Sequence, residues 1–239
     1  IKAAILSNYD KSTRPAKAKG AGTNSSCNAA TPDVVTTQFI IDYLRVDQKE
    51  TSYTLSGFFR VYWNDWRLAF NATDACSEAI IFDDLSGFWK PDLFFEEARA
   101  INLGGGGFGQ MFKLSADGSV YWSRQATVTL TCKMFFGNIP FDTQTCHYLV
   151  GEYSQTAEDV LVQWSTPPGE QLALANWQNA ATTRWTVTDM VQENVFKTYT
   201  LRYSYAQATL FLKRRAQEYL LEYMLLAILT VLMAYSGFF

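Results

Sequence analysis

The sequence predicts an all-β domain followed by one transmembrane α-helix, and three observations carry that expectation. Short runs of β-branched and aromatic residues alternate with polar ones, as at residues 34–41 and 53–59, with turn signals between them. Aromatic residues make up 15% of the chain and concentrate in such runs, not in helical stripes. Residues 219–239 are apolar except for Glu222 and follow Lys213-Arg214-Arg215. About 20 such residues suffice to cross a bilayer core. At 239 residues and 48% hydrophobic content, the chain can bury one full core.

Composition narrows the function classes. A net charge of −3 argues against the basic face that nucleic-acid binding requires. His147 is the only histidine, which excludes a histidine-based metal cluster, and its plainer reading is a strand surface residue; no metal and no cofactor are expected. The glycines at 104–107 and Gly109 form a loop without the G-K-[ST] ending of a phosphate cradle. Four cysteines and two glycosylation sequons, at Asn24 and Asn71, point to an oxidising, extracellular setting. No signal peptide heads the sequence, which is read as beginning at or near a mature terminus.

The elements follow in order. Residues 1–7 are apolar enough for a short amphipathic helix, and residues 17–30, small and polar with Cys27 among them, read as an exposed loop. Strands are expected at 34–41 and 53–59, joined by the charged turn Asp47-Gln48-Lys49-Glu50, whose plainer reading is a solvated hairpin tip. Alternation then puts Phe58, Arg60 and Tyr62 on one strand face and Phe59, Val61 and Trp63 on the other. Trp63 and Asp65 read as structural. Arg60, between two aromatics, is suited to hold a carboxylate in bidentate fashion. Pro91 suits the start of an edge segment. Asp117-Gly118 signals a hairpin turn before an alternating strand over 127–132. Further strands are expected at 161–164 and 185–191, with a long loop over 167–183. Residues 196–212 alternate weakly.

Residues 132–146 read C-K-M-F-F-G-N-I-P-F-D-T-Q-T-C, two cysteines around thirteen residues that include Pro140, Asp142 and Gln144. This segment resembles the signature loop of the Cys-loop receptors, the pentameric ligand-gated ion channels of animals. Four other stretches resemble the same family. They are N-Y-D-K-x-x-R-P from Asn8, W-x-D-x-R-L-x-F from Trp63, W-x-P-D from Trp89, and D-G-x-V-x-W-S from Asp117. The last is similar to receptors for glycine and γ-aminobutyric acid. The resemblance runs from Asn8 to Leu232.

The resemblance implies an immunoglobulin-like β-sandwich of about ten strands with a short N-terminal helix, followed by one transmembrane α-helix. It implies an extracellular ligand-binding domain over 1–212 and a pre-membrane segment with the first membrane helix over 213–239. It also implies a Cys132–Cys146 disulfide, which as a ring of about 15 residues would stabilise the fold by roughly 3 kcal/mol. Cys27 and Cys76 then pair with each other if their bond is intramolecular, which non-reducing peptide mapping tests. The expected assembly is a homopentamer in the plasma membrane, gated by a small amino acid or amine, and not an enzyme. The remaining three membrane helices of the family are not in this sequence, so the chain as given is not expected to form a pore.

The family's agonist site lies between subunits. Matching motifs assigns Phe94, Glu96, Glu152, Tyr153, Phe196, Thr200 and Tyr203 to the principal face. Phe58, Arg60, Tyr121 and Ser123 fall on the complementary face. Aromatic faces attract an ammonium, while an arginine with hydroxyls takes a carboxylate, so together they describe a zwitterion site. Glu96 stands where nicotinic receptors carry tyrosine, and Glu152 offers a carboxylate that pairs with an amine or faces water. The vicinal cysteines of nicotinic α subunits and the second disulfide of glycine receptors are missing. Coupling to the membrane is assigned to Asp47, Gln48, Lys49 and Glu50, to Ile139, Pro140, Phe141 and Asp142, and to Arg214. Arg60→Ala is expected to weaken agonist action far more than Arg67→Ala. Two other readings compete. A soluble pentamer similar to the acetylcholine-binding proteins would lack the apolar run after Arg215. A sandwich glycosidase would use Glu96, Glu97 and Glu152, which no motif supports.

Overall fold

The computed structural model describes residues 5–6, 9–16, 31–72, 77–82, 86–104, 109–165, 174–175, 182 and 184–237. Twelve strands among them form two sheets. In chain order they begin with β1 (Asp33–Asp47), β2 (Ser52–Asn64), β3 (Ala79–Phe82), β4 (Leu93–Phe95), β5 (Ala98–Asn102) and β6 (Gln110–Ser115). β7 (Ser119–Thr131), β8 (Thr143–Glu152), β9 (Val160–Trp164), β10 (Leu174–Ala175), β11 (Trp185–Thr198) and β12 (Arg202–Arg214) complete them. The larger sheet runs β10-β1-β2-β7-β6-β3, with β9 also on β1 and β5 also on β7. The smaller runs β11-β12-β8-β4.

The alternation read from β2 holds. Phe59, Val61 and Trp63 are buried, while Phe58, Arg60 and Tyr62 lie on the outer face. The two sheets meet through rings: Phe59 of β2 lies 5.1 Å from Phe95 of β4, and Phe39 of β1 lies 5.8 Å from Tyr148 of β8. Opposite Gly57 and Ser56, β1 shifts register between Ile41 and Tyr43. There a Cβ on Gly57 would fall 1.8 Å from the Ile40 carbonyl oxygen, so only glycine fits.

The W-x-D-x-R-L motif is structural, as expected. Asp65 is fully buried, pairs with Arg67 at 2.7 Å and accepts a hydrogen bond from Tyr9 at 2.6 Å. Arg67 also donates to the carbonyls of Asp10 and Thr13, and Arg14 pairs with Asp33 and Asp159. This ties the N-terminal segment to the sandwich. It also makes Arg67 a poor neutral comparison for Arg60, because its loss would unfasten that segment.

The weak alternation over 196–212 has a cause, and one expectation needs correction. A reversal at 199–201 separates β11 from β12, which resets the side-chain phase. Within the loop expected over 167–183, Leu174–Ala175 pairs in parallel with Phe39 and Ile40. Of the short N-terminal helix only residues 5–6 are described, and they are helical. Cys27, Cys76 and Asn24 lie outside the described residues, as do glycines 105–107. After β12 comes the helix Ala216–Ser236, 21 residues with no residue buried and a π-helical turn at Leu220–Met224. At 1.5 Å per residue it spans about 30 Å, the thickness of a bilayer core.

Candidate functional site

Pairing of β2 with β7 sets Arg60 opposite Ser123 and Tyr62 opposite Tyr121, and β6 adds Met111 opposite Ser123. Because successive side chains alternate, this register gathers one row of outer-face groups. Phe58, Arg60, Tyr121 and Ser123, all four complementary-face residues, line a single open recess with Gly109, Gln110 and Met111. Arg60 Nη1 donates to Gln38 Oε1 at 3.2 Å, a neutral partner, and its buried Nε has no hydrogen-bond partner among the described residues. Among the described residues no carboxylate pairs with it. The guanidinium therefore keeps its charge available to an incoming anion.

On the smaller sheet, β4, β8 and β12 bring Phe94, Tyr153 and Tyr205 together. The Phe94 ring lies edge-on to Tyr153 at 5.5 Å and to Tyr205 at 6.0 Å. Gly151 makes room for Tyr205, whose ring would sit 2.5 Å from a Cβ at that position. Tyr153 and Phe196 are exposed, and Thr200 is exposed at the β11–β12 reversal. Tyr203 packs toward Tyr199 at 6.5 Å.

Glu96 is not a free carboxylate. Both its oxygens accept from Lys197 Nζ at 2.8 Å, and Tyr199 donates to one at 3.2 Å. Lys197 also lies 5.4 Å above the Tyr205 ring, and Arg202 stacks 3.9 Å from Phe196. Burial, together with the charge of Glu96, pushes the Tyr205 hydroxyl up to about 12. Tyr205, Tyr199, Lys197 and Arg202 join this cluster, and none of them is among the residues that motif matching assigns to the principal face. The available signal was the period of two: Tyr205 follows Tyr203 by two positions on a strand.

Glu152 neither faces water nor, among the described residues, pairs with an amine. It is 2% exposed, and Oε1 accepts from the Asp92 amide and the Ser154 hydroxyl, each at 3.1 Å, while Oε2 has no partner among the described residues. Burial raises its carboxyl to about 7, the nearby Asp92 charge adds to the rise, and the hydrogen bonds oppose it.

At the end of the sandwich next to the apolar helix, the Cys132–Cys146 disulfide is formed. Inside its ring, Asp142 accepts from Arg214 through both carboxylate oxygens, at 2.5 and 2.9 Å, and from Gln144 at 2.6 Å. Gln144 reaches across to the Phe135 amide and carbonyl. Burial acts to raise the Asp142 carboxyl, but hydrogen bonds from Arg214 and Gln144 outweigh it and hold the group below the usual range. Arg214 stacks on Trp185 at 4.3 Å. Of the residues assigned to coupling in this ring, Pro140 is buried and Phe141 projects outward at 73% exposed, beside Phe135 at 75%. In the turn before β2, Asp47 accepts from the amides of Lys49 and Glu50. Thr51 binds that turn to the ring by accepting from the Cys132 amide. Gln48 lines a small recess with Arg184, Arg214 and the top of the helix.

Residues 1–216 match the family model described as neurotransmitter-gated ion-channel ligand binding domain. The chain belongs to this family. Its members are receptors, not enzymes, and the match fits a Cys-loop disulfide followed by an apolar helix. Among curated proteins the chain is similar to the γ-aminobutyric acid receptor subunit beta of Caenorhabditis elegans, at 24% identity over 237 residues. That alignment covers 98% of this chain and 40% of the relative, so the chain spans less than half the length of the curated relative it matches.

Proposed function

We propose that this chain is the extracellular ligand-binding and gating domain of a pentameric channel of the plasma membrane, assembled as a homopentamer. Its agonist is a small amino acid or amine held between the ring cluster of one copy and the Arg60 recess of the next. One observation carries this reading. An arginine without a carboxylate partner among the described residues, a buried serine and two aromatic residues share one recess on the larger sheet, while the ring cluster belongs to the smaller sheet. Each half suits one end of a zwitterion, so the pair is completed by a neighbouring copy in a closed ring. The Asp142–Arg214 pair supports the gating half, since it joins the disulfide ring to the residues immediately before the helix. The apolar helix disfavours a soluble binding protein. Glycosylation at Asn71, which is exposed, accords with the extracellular placement.

The test is to express the full-length receptor that carries this chain in oocytes and record currents during application of amino acids, amines and protons. Losing a charge-assisted hydrogen bond costs about 1.5–3 kcal/mol, so Arg60→Ala is expected to raise the half-maximal agonist concentration roughly 10- to 100-fold. Lys113→Ala, which removes an exposed charge from the same sheet face, serves as the comparison at equal surface expression. Equal shifts would remove the carboxylate clamp. Silence toward every amino acid and amine at surface-expressed receptors would overturn the agonist class.

A further inference from the structure

The ring cluster of the smaller sheet already holds a cation from its own chain. Lys197 Nζ is bound to both oxygens of Glu96 and lies over the Tyr205 ring, which in turn meets Phe94. An ammonium between a carboxylate and an aromatic face is the arrangement that recognises organic ammonium ions. The pair differs from the buried Asp142–Arg214 pair in its exposure. The Lys197 and Glu96 side chains are 34% and 21% exposed, against 3% for each member of the other pair. Solvent therefore reaches the Lys197 pair, and a partner in solution can exchange with it. Lys197 also sits next to the β11–β12 reversal, opposite Tyr203, on a strand that ends the smaller sheet. Its four-carbon stem can swing away without unpacking the core.

We propose that Lys197 is a tethered occupant of an ammonium subsite formed by Glu96, Tyr199 and Tyr205, and that the ligand of this face is an ammonium compound that displaces it. This deepens the reading of the ring cluster as a ligand face and rests on it. The consequence is selectivity. A cationic ligand replaces the lysine charge at Glu96 and leaves the carboxylate satisfied. A neutral ligand of the same shape would leave Glu96 unpaired and so fails to displace the lysine. Lys197 is a specificity-determining residue through this competition.

The displacement has a readout that does not require channel opening. An ordinary lysine in a binding site is shielded from acylating reagents when ligand binds, whereas a displaced lysine becomes more reactive. The full-length receptor is labelled with an acetylating succinimidyl ester, and modification of Lys197 is followed by mass spectrometry with exposed Lys213 as internal reference. Two probes are compared: choline, a permanent cation that does not consume the reagent, and its neutral carbon isostere 3,3-dimethylbutan-1-ol. Lys197 is expected to label more slowly than Lys213 in the free receptor. Saturating choline should raise its labelling by at least about threefold, with the alcohol inert. Glu96→Gln should raise Lys197 labelling without any probe. Labelling of Lys197 that choline leaves unchanged or lowers overturns the proposal, as does an equal rise with the alcohol. Agonist currents combined with unchanged Lys197 labelling would overturn this inference alone. Choline-enhanced labelling in a receptor silent to all amino acids and amines would overturn the agonist reading alone.

Discussion

Replacing Asp142 by Asn leaves the Arg214 guanidinium buried against Trp185 with a neutral partner. In the wild type each side chain is 3% exposed, two side-chain hydrogen bonds join them, and the Arg214 amide also donates to the Asp142 carbonyl. Removing one member of such a buried pair costs about 3–5 kcal/mol, mostly because the surviving charge stays desolvated. A domain of this size loses roughly 2–4 °C of melting temperature per kcal/mol, so Asp142→Asn should lower it by about 6–20 °C. The assay is thermal unfolding of the purified receptor by tryptophan fluorescence, to which Trp185, 4.3 Å from Arg214, contributes a local signal. Adding Arg214→Met should recover much of the loss, because no buried charge then remains. The wild type also predicts its own acid limit. Asp142 is held low, so the pair contributes fully above the ordinary carboxylate range, and the contribution fades as pH falls through the lowered value. A shift under about 2 °C would mean the pair behaves as a surface one. Additive losses in the double variant would refute the buried-charge argument equally.

Two further predictions concern the principal face. Glu152 has its carboxyl raised from 4.5 to about 7, so between those values the folded state keeps a proton that the unfolded chain releases. Stability should therefore fall as pH rises through that window, by up to about 1.4 kcal/mol per pH unit, and stay level below it. Melting temperatures measured across pH 5 to 8 should lose this slope in Glu152→Gln (pH values about one unit apart suffice), and an unchanged slope would assign it to another group. Gly151→Ala forces the Tyr205 ring away from a Cβ only 2.5 Å distant. Overpacking of this kind costs about 1–3 kcal/mol, and the ring contact with Phe94 should be lost. Agonist titrations should show roughly tenfold lower sensitivity at near-normal surface expression; unaltered sensitivity would exclude Tyr205 from the site.

What could be read from the sequence depended on how many faces of a strand the fold covers. β2 has one face in the core and one outside, so period-two alternation separates Phe58, Arg60 and Tyr62, which lie outside, from Phe59, Val61 and Trp63. β8 alternates only as far as His147; from Tyr148 to Glu152 every residue is buried. Its final carboxylate therefore gave no sign of pointing inward, and Glu152 was assigned to water or an amine. The disulfide ring was legible because its cysteines, Pro140, Asp142 and Gln144 are close in sequence. The Arg214 partner of Asp142 lies 72 positions further on, yet both were assigned to coupling through the family motifs. Glu96 had no such support. Its partner Lys197 is 101 positions away. They meet only because β4 pairs with β8, β8 with β12, and β12 with β11, each in a fixed register. Three successive pairings set that contact, and a slip of one residue in any of them would turn Lys197 to the opposite face. A carboxylate in the motif position of an aromatic reads, taken alone, as the loss of an ammonium cage. The register instead sets it against Lys197 beside the Tyr205 ring, the contact on which the proposed ammonium subsite rests.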